Sequence, residues 1–223
     1  MRGFYTSPML PEAFVFDAYG TLYDVHSVAA RCESCWPGKG AQLSQLWRAK
    51  QLEYTWQRSL MQRYAPFSTV TREALAYSCE ALKLELSVAQ MEGLMGEYLN
   101  LALYPDVTPT LEKLKTRKAI LSNGSPDILL PLVKNSGLEL DAVISVDELR
   151  VFKPAPQVYE LAVKKLGTKS IGFVSSNCWD AMGAKSYGFK VYWINRTGAP
   201  IDRLGFQPDG ILGSLRDLVE QPK

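Results

Sequence analysis

The sequence has almost no excess of charge of either sign. Its 25 Lys and Arg face 23 Asp and Glu, a net of +2 over 223 residues. That balance excludes a basic nucleic-acid surface and an acidic tail. No Lys/Arg block interleaved with aromatics occurs, and no apolar run approaches the roughly 20 residues that span a bilayer. Met1 to Leu10 has no apolar stretch after Arg2, so no secretory signal is expected. The expectation is a soluble cytoplasmic protein with no nucleic-acid or membrane partner. Histidine occurs once, at His26, and cysteine four times. Cys32-Glu33-Ser34-Cys35 has CxxC spacing, which can mean zinc or a redox pair. A zinc site needs two further ligands, and there is no second CxxC to supply them. No strand ends just before Cys32, as a redox motif would require. The thiols are therefore read as structural or incidental. Repeats and low-complexity segments are also missing.

What is present is a chain of globular composition, long enough for a full apolar core with a smaller inserted unit. It changes character twice. Phe14-Val15-Phe16 is a short apolar run that ends in Asp17-Ala18-Tyr19-Gly20-Thr21, a buried strand leading into a polar turn. From Asp24 to Tyr104 the pattern is helical. Leu43, Leu46, Trp47, Leu52, Trp56, Leu60 and Tyr64 mark one helix, and Ala74, Leu75, Cys79, Leu82 and Leu86 a second. Ser87 and Gln90 form a capping box that opens a third. The predicted organisation is a core of residues 1–23 and 105–223, with an all-helical insertion at 24–104.

From Pro105 onward strands and helices alternate. Thr108 is read as an N-cap with Pro109 at the first helical position. Apolar strands are expected at Ala119 to Leu121, Ala142 to Ile144, Ile171 to Val174 and Val191 to Ile194. Helices are expected from Pro126 to a stop at Gly137, with Pro131 bending it, from Pro156 to a stop at Gly167, and from Trp179 to Tyr187. A last short helix is expected over Leu215 to Val219. The alternation implies an α/β fold, a doubly wound parallel sheet with helices on both faces. In such sheets ligands bind at the carboxyl ends of the strands.

Four polar clusters occupy those ends: Asp17 to Thr21, Ser122-Asn123, Lys153, and Ser175 to Asp180. Adjacent parallel strands would bring them to one crevice. Lys153 would then hold Asp17 ionised, and a carboxylate in a dry pocket can form an ester intermediate. Any one of these residues alone reads as a turn cap or a surface lysine; their convergence favours a catalytic site.

Phe16 to Leu22 resembles the first motif of the haloacid dehalogenase superfamily. Leu121 to Gly124 resembles the second, Lys153-Pro154 the third and Val174 to Asp180 the fourth. The resemblance implies a Rossmann-like core with the helical block as its cap. Phosphatases of that superfamily carry an acid two positions after the nucleophile, where this chain has Tyr19. They also bind Mg²⁺ through an acid four positions before the last aspartate, where it has Ser176. A transferred phosphoryl group needs that neutralisation. A halide leaves as an anion without a proton. Asp24 to Val28, Leu46-Trp47-Arg48, Ser122 to Ser125, Ser175 to Asp180 and Trp193 to Arg196 are similar to the (S)-2-haloacid dehalogenases.

That narrower resemblance implies roles. Asp17 attacks C2 of a 2-halocarboxylate in line, with inversion. Ser122 and the backbone N–H groups near Ala18 and Tyr19 hold the substrate carboxylate. Arg48 and Asn123 stabilise the halide. Lys153 pairs with Asp17, and Asp180, with Asn177, Ser175 and Thr21, serves the water that cleaves the ester. Tyr159 is placed near the substrate, and Tyr19, Leu52, Phe67 and Trp179 form an apolar wall around C2. No metal or other cofactor is implied, and relatives of this kind often form homodimers. From the residues alone, Arg48 could sit on a solvated helix face, although Trp47 and Leu52 favour partial burial. His26 is read as structural. Departures exist as well. The stretch from Lys113 to Leu121 is short, and Ala18 and Ala49 stand where relatives carry larger side chains, which bears on chain-length preference. The rival readings are a Mg²⁺-dependent phosphatase, a hydrolase that opens strained rings such as azetidine carboxylate, and a binding protein with a relic site.

Overall fold

A computed structural model describes residues 10–219. Most of the stretch read for a secretory signal, 1–9, lies outside the described residues. Six parallel strands form one sheet in the order β3-β2-β1-β4-β5-β6. They are β1 (Ala13–Phe16), β2 (Arg117–Ser122), β3 (Ala142–Ser145), β4 (Ile171–Ser175), β5 (Lys190–Ile194) and β6 (Gly210–Leu212). β1 lies at the centre, with Val15 opposite Ala119 on one side and Phe173 on the other. All four of its residues are buried, as a strand covered on both faces requires. The sheet order reverses direction at β1, so the crevice beyond the ends of β1 and β4 is where a ligand is expected to bind.

Between β1 and the next core helix the chain forms α1 (Ser27–Cys35), α2 (Gly40–Leu60), α3 (Phe67–Ala81) and α4 (Val88–Glu97). The Ser87–Gln90 capping box opens α4 as expected. α3 stops at Ala81, short of Leu86, because Lys83 takes a positive φ that ends the helix. α1 carries Cys32 and Cys35, and all four cysteines are free thiols. The chain enters and leaves this block side by side: Asp24 N–H donates to Ala102 O at 2.8 Å and Tyr104 N–H to Leu22 O at 3.0 Å. Further bonds tie the block to the core, among them Ser68 N–H to Ser125 Oγ at 3.1 Å and Phe152 N–H to Ser59 Oγ at 3.1 Å.

The core helices are α5 (Val107–Lys113), α6 (Pro126–Ser136), α7 (Pro156–Leu166) and α8 (Cys178–Tyr187). α6 and α7 begin on proline and stop at Gly137 and Gly167, both left-handed. α5 begins one residue before Thr108, so Thr108 is not its N-cap. The chain is fixed there by Asp106, which takes both Arg196 guanidinium nitrogens at 2.6 and 3.0 Å, Ser214 Oγ at 2.9 Å and Leu215 N–H at 2.7 Å. The expected terminal helix is a single 3-10 turn, Leu215–Leu218, and β6 was not expected at all.

Candidate active site

The turn after β1 is built by three N–H groups, those of Thr21, Leu22 and Tyr23, converging on Ala18 O at 3.0 to 3.2 Å. Gly20 makes it feasible: its φ is +87° and a Cβ there would meet Ser176 Oγ at 3.4 Å. The N–H groups of Ala18 and Tyr19 have no backbone acceptor among the described residues. They remain as donors for an anion.

Asp17, Lys153 and Asp180 form one buried cluster. Lys153 Nζ donates to Asp17 Oδ1 at 3.1 Å and to Asp180 Oδ2 at 2.8 Å. The Lys153 side chain is 1% exposed and that of Asp17 is 8%. Asp17 Oδ2 accepts from Asn177 Nδ2 at 2.6 Å, Thr21 Oγ1 at 3.1 Å and, more weakly, Ser175 Oγ at 3.4 Å. The two oxygens thus differ: Oδ1 meets one ammonium, while Oδ2 is held by three neutral donors. Burial alone would lower the Lys153 pKa, but the two carboxylates outweigh it and raise it above its ordinary value. Burial pushes Asp180 up to about 6, and the nearby Asp17 charge adds to this against the pull of Lys153.

Tyr159 sits behind this cluster. Its hydroxyl donates to Asp180 Oδ1 at 2.8 Å, and its ring packs among Phe173, Tyr187 and Phe189. It is fully buried, and the contact its hydroxyl makes is with Asp180, which it holds in place. Gly183 allows this approach, since a Cβ there would come within 2.5 Å of the Tyr159 hydroxyl. Nothing in the sequence singled out Gly183.

Ser122 Oγ accepts from Gly124 N–H at 3.0 Å, which leaves its own hydrogen to donate. Asn123 Oδ1 accepts Lys153 N–H at 2.9 Å, and the amide nitrogen has no partner among the described residues. Both side chains are buried at the end of β2.

The inserted helices close the site from above. Phe67 stacks on Tyr19 at 5.5 Å between ring centres. Trp179 stands edge-on to Trp56 of α2 at 5.5 Å. Arg48, Leu52, Asn177 and Trp179 line a crevice of about 440 Å³. Of the other wall residues, Phe67 is 1% exposed and is ring packing for Tyr19. Arg48 Nη1 donates to Gln51 Oε1 at 2.6 Å, and Gln51 is in turn held to Thr71 Oγ1 at 2.7 Å and Tyr98 OH at 3.3 Å. The sequence reading missed Gln51, although its i,i+3 spacing from Arg48 puts both on one helix face. His26 is exposed on the rim of the same crevice, and its backbone N–H caps a turn on Asp24 Oδ1 at 2.8 Å.

A divalent cation fits this cluster poorly. All four carboxylate oxygens of Asp17 and Asp180 already accept protein donors. Ser176 turns its Oγ onto Gly20 O at 2.6 Å. Among the described residues no group of three or more His, Cys, Asp or Glu is placed to hold a metal. The cluster has one ammonium against two carboxylates, so a second anion needs a further cation. Arg48 stands on the crevice; Arg196, which also lines it, is committed to Asp106. The arrangement suits covalent attack by a carboxylate on a small anionic molecule, followed by hydrolysis beside a second carboxylate of raised pKa.

The chain matches the family of haloacid dehalogenase-like hydrolases over residues 11–188. It is 48% identical over 216 residues to an (S)-2-haloacid dehalogenase of Pseudomonas sp. (strain YL), covering 94% of this chain and 93% of the relative. It is 49% identical over 205 residues to haloacetate dehalogenase H-2 of Moraxella sp. (strain B), covering 89% and 92%. Among solved structures it is similar to the L-2-haloacid dehalogenase of Xanthobacter autotrophicus with chloropropionic acid covalently bound. There the TM-score is 0.88 and the identity 44%, over 94% of this chain and 97% of that one.

Proposed function

The chain belongs to the haloacid dehalogenase-like hydrolases, and from that premise we propose that it removes halide from short (S)-2-haloalkanoic acids and yields (R)-2-hydroxyalkanoic acids. Asp17 Oδ1 is the nucleophile. It accepts one hydrogen bond where Oδ2 accepts three, so its lone pairs are the more available. It forms a bond to C2 as the carbon–halogen bond breaks on the opposite face, inverting C2. The halide leaves with the electron pair. Ser122 and the N–H groups of Ala18 and Tyr19 hold the substrate carboxylate, and Arg48 and Asn123 receive the halide. Tyr19, Leu52 and Trp179 surround C2 with apolar area, and Phe67 backs Tyr19.

In the second step water adds to the Asp17 ester carbonyl and gives a proton to Asp180. Oδ2 takes up the negative charge, where Thr21, Ser175 and Asn177 already donate. Collapse expels the hydroxyacid oxygen, which takes the proton back from Asp180, and the Asp17 carboxylic acid left behind releases its proton to solvent, restoring the carboxylate. Lys153 stays charged throughout and offsets both carboxylates. No metal takes part in either step.

The observation that carries this reading is the Asp17–Lys153–Asp180 cluster with every carboxylate oxygen bonded to a protein donor, beside Tyr19 and Ser176 where phosphoryl transfer needs acids. The test is turnover of both enantiomers of 2-chloropropionate with a chelator present. Chloride release from the (S) form, D-lactate as product, and loss of roughly 10⁴-fold or more in Asp17→Asn are expected. Turnover only after Mg²⁺ is added, or an active Asp17→Asn, would contradict it. In the same assay, opening of azetidine carboxylate in place of halide release would point to the ring-opening hydrolase.

A further inference from the structure

We propose that the Tyr19 phenol donates a hydrogen bond to the departing halide, a catalytic role separate from the apolar wall made by its ring. The proposal rests on the dehalogenation reading. Tyr19 is 3% exposed, and its hydroxyl is buried with no hydrogen-bond partner among the described residues. A buried hydroxyl without an acceptor is disfavoured. The ring has no need of the oxygen: it stacks on Phe67 at 5.5 Å and tilts against Tyr98 at 5.9 Å, contacts a phenylalanine would also make. Retention of the hydroxyl calls for an acceptor that arrives during turnover.

Its position fits the leaving group. The hydroxyl lies against Gly124, where a Cβ would come within 2.8 Å of it, and so beside the end of β2 that carries Asn123. The residue is held from behind, because Asn177 Nδ2 donates to Tyr19 O at 3.1 Å. Burial, then Tyr98, raise the phenol's pKa, while the Arg48 guanidinium pulls it down. It therefore stays a protonated donor, with Arg48 the stronger of its charged neighbours and Asp17 the weaker. In-line displacement drives the halide to the face of C2 away from Asp17. The phenol, beside Gly124 and within the field of Arg48, is placed by the proposal on that face together with the Asn123 amide. No proton is transferred: the phenol shares its hydrogen as the C2–halogen bond breaks, and the halide takes the bonding pair.

The test is single-turnover halide release by wild type and Tyr19→Phe with (S)-2-chloro-, bromo- and iodopropionate. Tyr19→Phe should slow chloride release about tenfold, less than loss of an oxyanion donor costs because halide is a weaker acceptor. The loss should shrink through bromide to iodide, and KM should hold within about twofold. Fast iodide release reports an intact fold. Gly124→Ala, which crowds the hydroxyl without removing it, should give the same halogen order and serves if Tyr19→Phe does not fold. Equal losses on all three halogens, or chloride release within about twofold of wild type, would overturn the proposal. A wild type that releases no halide would instead overturn the dehalogenation reading itself.

Discussion

The two sides of the site are built in opposite ways. Below, at the strand ends, Asp17, Lys153 and Asp180 sit in a fully bonded polar network whose partners come from the ends of β1 and β4, the loop before α7, and α7 and α8. Above, α2 and α3 contribute rings, an aliphatic side chain and one guanidinium, and the turn after β1 adds the Tyr19 phenol, which has no partner among the described residues. The difference separates two tasks. A nucleophile and its base need fixed geometry and fixed charge, which a saturated network supplies. Recognising a small anion and its leaving group needs apolar walls and donors that are free until the substrate comes.

The comparison breaks most severely at Lys153. Lys153→Met leaves two buried carboxylates without their ammonium. It should cost about 3–5 kcal/mol of stability and abolish turnover. Denaturant unfolding checks the first effect and halide release the second. A variant as stable as wild type would mean that the lower network is not charge-balanced by this residue.

Next in size is the response to pH. Asp180 must be a carboxylate to take the water's proton, and its pKa is raised to about 6 by burial. Ester hydrolysis should therefore fall about tenfold per pH unit below that point, with ester accumulating on Asp17. Attack by Asp17 on C2 should be less affected. Tyr159 donates to the charged form of Asp180 and so lowers its pKa. Tyr159→Phe should move the acidic limb to higher pH, and stopped-flow halide release against product release checks this. A limb unmoved by the variant would show that Tyr159 does not position Asp180.

The smallest effect belongs to the upper side. Gln51→Leu releases Arg48 and should lower kcat about tenfold while KM changes less. Thr71→Val removes another Gln51 contact without touching Arg48 and is the control. If both variants lower kcat alike, Gln51 supports the helices and does not aim Arg48.

The lower side was legible in the sequence because each buried strand ends abruptly in polar residues. Phe16 to Asp17, Leu121 to Ser122 and Val174 to Ser175 mark the sheet and the site together. The upper side was less so. Arg48 and Leu52 were named from the sequence and line the crevice, but Gln51 and Trp56 look like ordinary members of a long helix until α3 and α8 pack on them. β6 is three residues that follow an exposed loop, too short for periodicity to register. Tyr159 was named from the sequence, but its contact with Asp180 was not, because the close approach through Gly183 that puts it there is a packing fact. The Thr108-Pro109 start of α5 failed because the N-cap is Asp106, two residues earlier than the proline suggests, fixed by Arg196 from beyond the end of β5.

The most direct test of covalent attack by Asp17 is one turnover of excess enzyme on (S)-2-chloropropionate in ¹⁸O-water, followed by mass spectrometry of the peptide that holds Asp17. Hydrolysis of the ester at its carbonyl carbon should leave the label in Asp17 and an unlabelled D-lactate. Label in the lactate with none in Asp17 would mean that water attacks C2 directly, and the account of Asp17 as nucleophile would be wrong.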